Sequence, residues 1–439
     1  MRMLLNALYL LVALVALPWV IWRRVSGGRP VAAPWRRFTG SIDLSPPAPG
    51  VARIWLHGVS VGEVQLLATL AAELTRQAEA EGRRIECVIS SATTTGLEVA
   101  GRRFGPDRTF PCPLDFTWAV GRVFDRVRPA ALVLGELELW PNLLATAARR
   151  GIPVIVANAR MSERSASGYA RIRPLARRML GRVTVVSARS QADADRFAAF
   201  GAACVRVAGS MKFDGVRGDR DAAEVRRLRA LAGFAADDVV FLAGSTQAPE
   251  ERLAAEAFLA VRERHPAVRL VIVPRHVERT AEVAATLDAL GLRWQARSRL
   301  EAEGVDPAAR VLLVDTTGEL GAWWGTATIA FVGGSLDGSR GGQNMLEPAA
   351  YGAAVCFGPH TRNFRDEVAL LLAADAAVVV ADGPALTAFV ARCLAQPPSA
   401  EALGHRAAAL VARERGATAA TARLVLGTAL VADPCSDAA

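Results

Sequence analysis

The sequence predicts an α/β protein built from two doubly wound halves, each a parallel sheet covered by helices. Three observations carry that prediction. Short apolar runs rich in Val, Ile and Leu alternate with longer segments of helical periodicity, the pattern of repeated βαβ units. The alternation pauses once, in a charged stretch at about 209–239, and then begins again. At 439 residues, 52% hydrophobic and 22% charged, the chain has material for two or three domains with sizeable cores.

Taken in order, Met3–Trp22 is twenty residues without a charge, interrupted only by Asn6 and Pro18. That is roughly the length of a spanning helix. Arg23, Arg24, Arg29, Arg36 and Arg37 follow with no acid among them. Positive flanks stay cytoplasmic, so a membrane anchor is expected over 1–24, with everything after it in the cytoplasm. A cleaved signal peptide fits less well, because the charge is heaviest after the apolar run and no A-x-A site closes it. Residues 25–50 read as a linker.

The first half, 51–209, has strand-like runs at Ile54–Leu56, Ile85–Ser90, Ala131–Leu134, Val154–Ala157, Val183–Val186 and Val205–Ala208. The second, 210–429, has them at Val239–Ala243, Leu270–Val273, Val311–Val314, Ile329–Val332, Val355–Phe357 and Ala377–Val380, then Ala-rich helical segments. Residues 430–439 read as a flexible tail. Paired domains of this kind carry their sites in the cleft between them.

Composition narrows the chemistry. Six cysteines show no C-x-x-C and five histidines never pair at i, i+4, so neither a zinc site nor a disulfide framework is expected. No metal and no cofactor are called. The net charge is +9, yet no compact nucleic-acid recognition motif or aromatic-interleaved basic face appears, and no nucleic-acid partner is expected. All but one of the 52 basic residues are arginine. The exception, Lys212, marks a position suited to a compact ammonium, unless its survival is chance.

Trp55–Glu63, W-L-H-G-V-S-V-G-E, passes from strand to helix through Gly58 and Gly62 and leaves Glu63 where open α/β sheets bind ligands. Ser60-x-x-Glu63 is equally a capping box, whose two side chains satisfy first-turn N–H groups. Gly135–Pro141 follows another strand; Glu136 and Glu138 face one way if the strand continues through them. Carboxylates there bind hydroxyls or raise a neighbouring acid's pKa; a solvated loop is the plainer alternative. Arg160 and the arginines at 164, 171, 173, 177 and 178 offer groups for phosphates or anionic headgroups, or form a solvated helix face.

In the second half, Gly244-Ser245-Thr246-Gln247 precedes a helix, a place for backbone N–H groups to hold phosphate. Pro274-Arg275-His276 and Thr317-Gly318-Glu319 end two more strands. Gly333 and Gly334, before Ser335, permit close backbone approach. A helix opening at Asn344, with Met345, Leu346 and Glu347, would aim its positive end at a ligand. Glu347 suits ribose hydroxyls, although Asn344-x-x-Glu347 also has capping-box spacing. No block is G-x-G-x-x-G or G-x-x-x-x-G-K-[ST], which disfavours dehydrogenases and P-loop enzymes.

Together the blocks H-G-V-S-V-G-E (57–63), E-L-E-L-W-P-N (136–142), A-N-A-R-M-S-E-R-S (157–165), G-S-M-K-F-D (209–214), V-P-R-H (273–276), T-G-E-L (317–320), F-V-G-G-S (331–335), G-G-Q-N-M-L-E-P (341–348) and F-G-P-H-T-R-N-F (357–364) resemble the 3-deoxy-D-manno-octulosonic acid (Kdo) transferases of Gram-negative bacteria. The resemblance runs to about residue 370. It implies a GT-B glycosyltransferase-like fold: an N-terminal acceptor-binding and a C-terminal CMP-sugar-binding Rossmann-like domain facing a cleft, behind a membrane anchor. It implies inverting transfer of Kdo from CMP-Kdo to a lipid A precursor (lipid IVA). It implies Glu63 as general base, Glu136 and Lys212 as transition-state support, and Pro274, Arg275, Thr317, Gly318, Glu319, Asn344, Met345, Leu346 and Glu347 as CMP-binding residues. The chain departs from the family pattern at Leu137, usually Thr, and at Gln247 and Gln343, where His is common. Two alternatives remain: another GT-B nucleotide-sugar enzyme, such as a hexosyltransferase or epimerase, and a non-catalytic membrane-tethered nucleotide-sugar binding protein.

Overall fold

The computed structural model describes residues 5–12, 14–15 and 33–430. The chain divides into two compact units, Met1–Gly215 with Arg415–Ala439, and Val216–Glu414.

The first unit is a seven-stranded sheet of β1 (Ala52–His57), β2 (Ile85–Ser91), β3 (Thr109–Pro111), β4 (Ala131–Gly135), β5 (Val154–Ala159), β6 (Val185–Ala188) and β7 (Val205–Val207). Its order is β3-β2-β1-β4-β5-β6-β7, and every pair is parallel. A parallel sheet is covered on both faces, which is why its strands read as continuous apolar runs. In β1, Ile54 and Leu56 join the cluster on one face while Trp55 joins the other. Helix Val61–Ala80 buries Val64, Leu67, Leu70, Ala71, Leu74 and Ala78, a helical stripe, against the Ile54/Leu56 face.

A second helix shares that face. Ala417–Leu430 packs along Val61–Ala80 and places Ala417, Ala422, Val425 and Leu426 in the same cluster. Its residues lie in the first unit, not in the second domain that the pattern extended to 429. Small side chains allow the close approach, but an apolar stripe does not name the sheet it will cover.

The second unit repeats the design with β8 (Val239–Thr246), β9 (Val268–Pro274), β10 (Trp294–Ala296), β11 (Val311–Leu313), β12 (Ile329–Val332), β13 (Ala354–Phe357) and β14 (Val378–Val379). The order is β10-β11-β9-β8-β12-β13-β14, again parallel throughout. The two strands without a sequence signal, β3 and β10, are three-residue strands at sheet edges. Three residues are too few for a period to emerge.

Strand order reverses between β1 and β4 in the first sheet and between β8 and β12 in the second. At such switch points the connections leave to opposite faces and open a crevice at the strands' carboxyl ends. The loops after these four strands are therefore where each unit presents its chemistry.

Among the described residues no helix is long and apolar enough to cross a membrane. Most of the anchor expected over 1–24, and the tail beyond residue 430, lie outside the described residues. Residues 5–12 and 14–15 are helical, and Leu8, Leu11, Val12, Leu14 and Val15 are exposed. This segment is held to the first unit by polar contacts: Asn6 Nδ2 donates to Thr117 Oγ1 at 2.7 Å, and the Tyr9 hydroxyl donates to Asp115 Oδ2 at 3.1 Å.

Candidate functional site

In the first unit the chain leaves β1 through Gly58 into helix Val61–Ala80. A Cβ at Gly58 would lie 3.1 Å from the Glu63 Cβ and 3.0 Å from Leu67 Cδ1, so any larger residue would make these side chains give by a few tenths of an ångström. A variant of the capping box forms, in which the glutamate reaches the N–H of Val59 and not that of Ser60. Ser60 Oγ accepts the Glu63 N–H at 3.2 Å and donates its hydroxyl to Glu63 Oε1 at 2.8 Å, while Oε2 accepts the Val59 N–H at 2.8 Å. Capping also aims the carboxylate: a Cβ at Gly135 would sit 3.7 Å from Glu63 Oε2, which puts this carboxylate at the mouth of β4. Cap and candidate site residue are thus the same group. Gly62 is an exposed first-turn residue.

The strand does not continue through Glu136. It ends at Gly135, and Glu136 takes a left-handed backbone, φ +55°, with its N–H donated to Ala157 O at 2.9 Å. Glu136 and Glu138 therefore converge through a turn and not through strand alternation. Burial raises the Glu136 pKa, the Glu63 charge adds to it, and Arg189, Lys212 and Arg160 oppose it. Burial raises Glu138 as well; the hydrogen bond from Trp140 Nε1, 3.0 Å, opposes, and Glu63 and Glu136 add. Lys212 is half-buried on the single 3₁₀ turn Met211–Phe213. Glu63, Glu136, Glu138, Arg160 and Lys212 thus form one electrostatic cluster at the switch point.

The second unit meets its switch point differently. Glu250, 2% exposed, opens helix Glu250–Val261 and turns its carboxylate back under the β12 loop. Oε2 accepts the N–H groups of Gln247 at 3.0 Å and Gly334 at 2.7 Å; Oε1 accepts those of Ser335 at 3.0 Å and Leu336 at 3.1 Å. In the block 244–247, expected to offer backbone N–H groups to phosphate, the Gln247 N–H is taken up by this carboxylate, as are those of Gly334, Ser335 and Leu336, and Ser245, Thr246 and Ser335 are buried. Gly333 is required by contact: a Cβ would fall 2.6 Å from Thr246 Cα and 2.8 Å from Ser245 O.

Beside this braced loop stand the groups that remain accessible. Pro274 is buried at the end of β9, and the exposed Arg275 and His276 follow it. The Arg275 N–H is tied to Thr246 O at 2.9 Å, and its charge opposes the burial that raises the Glu347 pKa. Asn344 Nδ2 donates to Glu347 Oε1 at 3.1 Å, and Asn344 Oδ1 accepts the Leu346 N–H at 3.2 Å. The helix begins at Leu346, not Asn344, and has five residues. Met345 and Leu346 are fully buried, so their side chains serve the core.

Glu319 is also committed internally. Arg297 donates Nε to its Oε2 at 2.8 Å and an Nη to its Oε1 at 2.7 Å, with Thr316 Oγ1 at 2.7 Å and an Arg227 Nη at 3.1 Å completing the shell. Burial alone would raise this carboxyl; these bonds outweigh it and bring it down to about 2. The exposed part of the block is the turn at Thr317 and Gly318, the latter at φ +87°.

Residues 34–215 match the family model described as 3-Deoxy-D-manno-octulosonic-acid transferase (kdotransferase). The chain is 34% identical over 422 residues to the 3-deoxy-D-manno-octulosonic acid transferase of Bordetella pertussis, covering 93% of this chain and 95% of that one. The chain belongs to the Kdo transferase family. The enzyme of the same description from Haemophilus influenzae is 32% identical over 385 residues, 87% of each chain. Among solved structures, a putative UDP-N-acetylglucosamine 2-epimerase from Listeria monocytogenes superposes with a TM-score of 0.55 at 14% identity, over 85% of this chain and 95% of that one. At that identity the likeness speaks for the shared GT-B-like fold alone.

As a Kdo transferase the chain is a glycosyltransferase, and its sequence signals now sort by geometry. Glu250 escaped the motif search because P-E-E at a helix start reads as ordinary first-turn acid. Arg297, which holds Glu319, lies outside every quoted block. Asp115 was missed too. It is buried, its Oδ2 and Oδ1 cap helix Pro141–Arg149 by accepting the Asn142 and Leu143 N–H groups at 2.9 and 2.8 Å, and its pKa is raised by burial to about 6. A lone aspartate in P-C-P-L-D-F carries no periodic signal.

Proposed function

We propose that the chain transfers Kdo from CMP-Kdo to a lipid A precursor, inverting the anomeric carbon. The observation that carries this reading is the convergence of Glu63, Glu136 and Lys212 at the β1/β4 switch point. Glu63 takes the proton of the attacking acceptor hydroxyl as general base. Glu136, which burial and Glu63 make hold its proton to higher pH than an ordinary glutamate, supports the acceptor side. Lys212 meets the negative charge that develops on the departing CMP phosphate, a role worth most where water is excluded. That task goes to the ammonium, and none is assigned to a metal ion or cofactor. On the donor side Arg275, the Thr317–Gly318 turn with Glu319, and Asn344 with Glu347 receive CMP, with Met345 and Leu346 contributing backbone only. The uncharged run Met3–Trp22, followed by arginines, supports attachment to the cytoplasmic face of the inner membrane, where a lipid acceptor resides.

The test is direct. Purified chain with CMP-Kdo and tetraacylated lipid A precursor is expected to release CMP and add the mass of Kdo to the lipid; no release, or a uridine nucleotide binding more tightly than CMP, would overturn the proposal. Glu63→Gln is the diagnostic variant, because glutamine also serves a capping box. Thermal stability is expected within about 0.5 kcal/mol of wild type, with turnover down about 10²- to 10⁴-fold.

A further inference from the structure

Lys212 sits on one 3₁₀ turn, a structure too short to hold its own position. Its location depends on what grips it. Met211 and Phe213, both 1% exposed, plug the turn into the core and leave Lys212 between them. Two polar anchors do the rest. On the leading side, Asn158 Oδ1 accepts the Met211 N–H at 3.0 Å. On the trailing side, Asp214 accepts the N–H groups of Gly416 and Thr418, both at 2.6 Å, capping helix Ala417–Leu430.

Both anchors refer the turn to the other acids. Asn158 lies in β5 directly after Ala157, whose carbonyl holds the Glu136 N–H. One dipeptide therefore sets the backbone of Glu136 and the turn of Lys212. The helix capped by Asp214 packs along Val61–Ala80, which carries Glu63 in its first turn. Asn158 also bears costs that stability alone would remove: a left-handed backbone at φ +53° and a buried Nδ2 without a hydrogen-bond partner among the described residues. Such features concentrate where geometry matters more than stability.

We infer that Asn158 and Asp214 are positioning residues for Lys212, and that the returning C-terminal helix is part of the catalytic framework of the first unit. The kinetic consequence rests on the Kdo-transfer reading; the placement of Lys212 does not.

The lone lysine makes the inference measurable. Reductive methylation with ¹³C-formaldehyde labels only Lys212 and the α-amino group of this chain. In the full-length protein, without substrate, the Lys212 resonance is expected to shift toward that of a solvent-exposed lysine in Asp214→Asn and in Asn158→Gly, a residue that tolerates positive φ. Unlabelled variants are expected to lose more than tenfold in kcat with KM for CMP-Kdo changed less than threefold. Gln77→Ala is the control. It removes the Gln77 Nε2 bond to Ala419 O, 3.1 Å, a contact to the same helix that leaves both Asp214 bonds in place, and should leave resonance and kcat unmoved. An unchanged Lys212 resonance in both anchor variants, or kcat retained within threefold, overturns the inference. A wild-type protein without turnover would instead sink the functional reading, leaving the resonance arm to judge this one.

Discussion

Glu250→Gln tests how the second unit is held together. Each carboxylate oxygen accepts two backbone N–H groups. Glutamine keeps one oxygen and presents an NH₂ where the other stood, so two buried donors lose their acceptor. Each costs about 1–3 kcal/mol, giving a local loss of about 2–6 kcal/mol. With two units, a single global unfolding free energy is a poor measure. Hydrogen exchange over peptides spanning 330–338 reads the loss where it occurs. Each 1.4 kcal/mol is a factor of ten, so the Gly334, Ser335 and Leu336 amides are expected to exchange about thirtyfold faster or more, with CMP affinity falling alongside. Wild-type exchange in a folded Glu250→Gln protein would refute the claim that this carboxylate braces the loop.

Lys212→Arg keeps the charge but spreads it over a plane; turnover is expected to fall more than tenfold, roughly 1.4 kcal/mol, and an unchanged rate would make the lone lysine incidental. Gly333→Ala drives a Cβ into the Thr246 and Ser245 backbone, and overpacking of at least about 1–3 kcal/mol is expected to show as a lower thermal midpoint and faster proteolysis. Gly321→Ala, with nothing within 4 Å of the new Cβ, should behave as wild type. His57, 1% exposed, is held neutral: burial lowers its pKa to about 4, against a weaker opposing hydrogen bond from its Nδ1 to the Ser90 carbonyl. The unfolded chain binds that proton from about pH 6.5 downward, so the stabilisation is complete above 6.5 and lost as pH falls through 4, about 3 kcal/mol in all. Thermal midpoints between pH 7.5 and 4 should fall more steeply in wild type than in His57→Gln; parallel slopes would contradict the assignment.

The parallel sheets were legible because strands buried on both faces must be apolar throughout. Ile329–Val332 matches its predicted run at both ends, and most others match within two or three residues. The acids and the lysine stood out as candidates for a related reason: chemistry at a strand's carboxyl end needs specific side chains in specific loops. What they touch was not. Nothing in T-G-E-L reveals that Glu319 is committed to Arg297, nor in P-E-E that Glu250 occupies the donors of a glycine loop 84 to 86 residues further along the chain.

Glu63 shows the division most clearly. Its sequence supports both a cap and a base: the Ser60-x-x-Glu63 spacing suits the cap, and a carboxylate at a strand's carboxyl end suits the base. What packing adds is a place for the carboxylate, by setting β4 beside β1 so that Gly135 opens onto the capped Glu63. The sequence by itself determined local periods, strand termini and the residue types available at each. Tertiary structure decided the partners: a charge acts through space over a few ångströms, and which distant residues come within that range depends on sheet order and on a returning helix that no local pattern encodes.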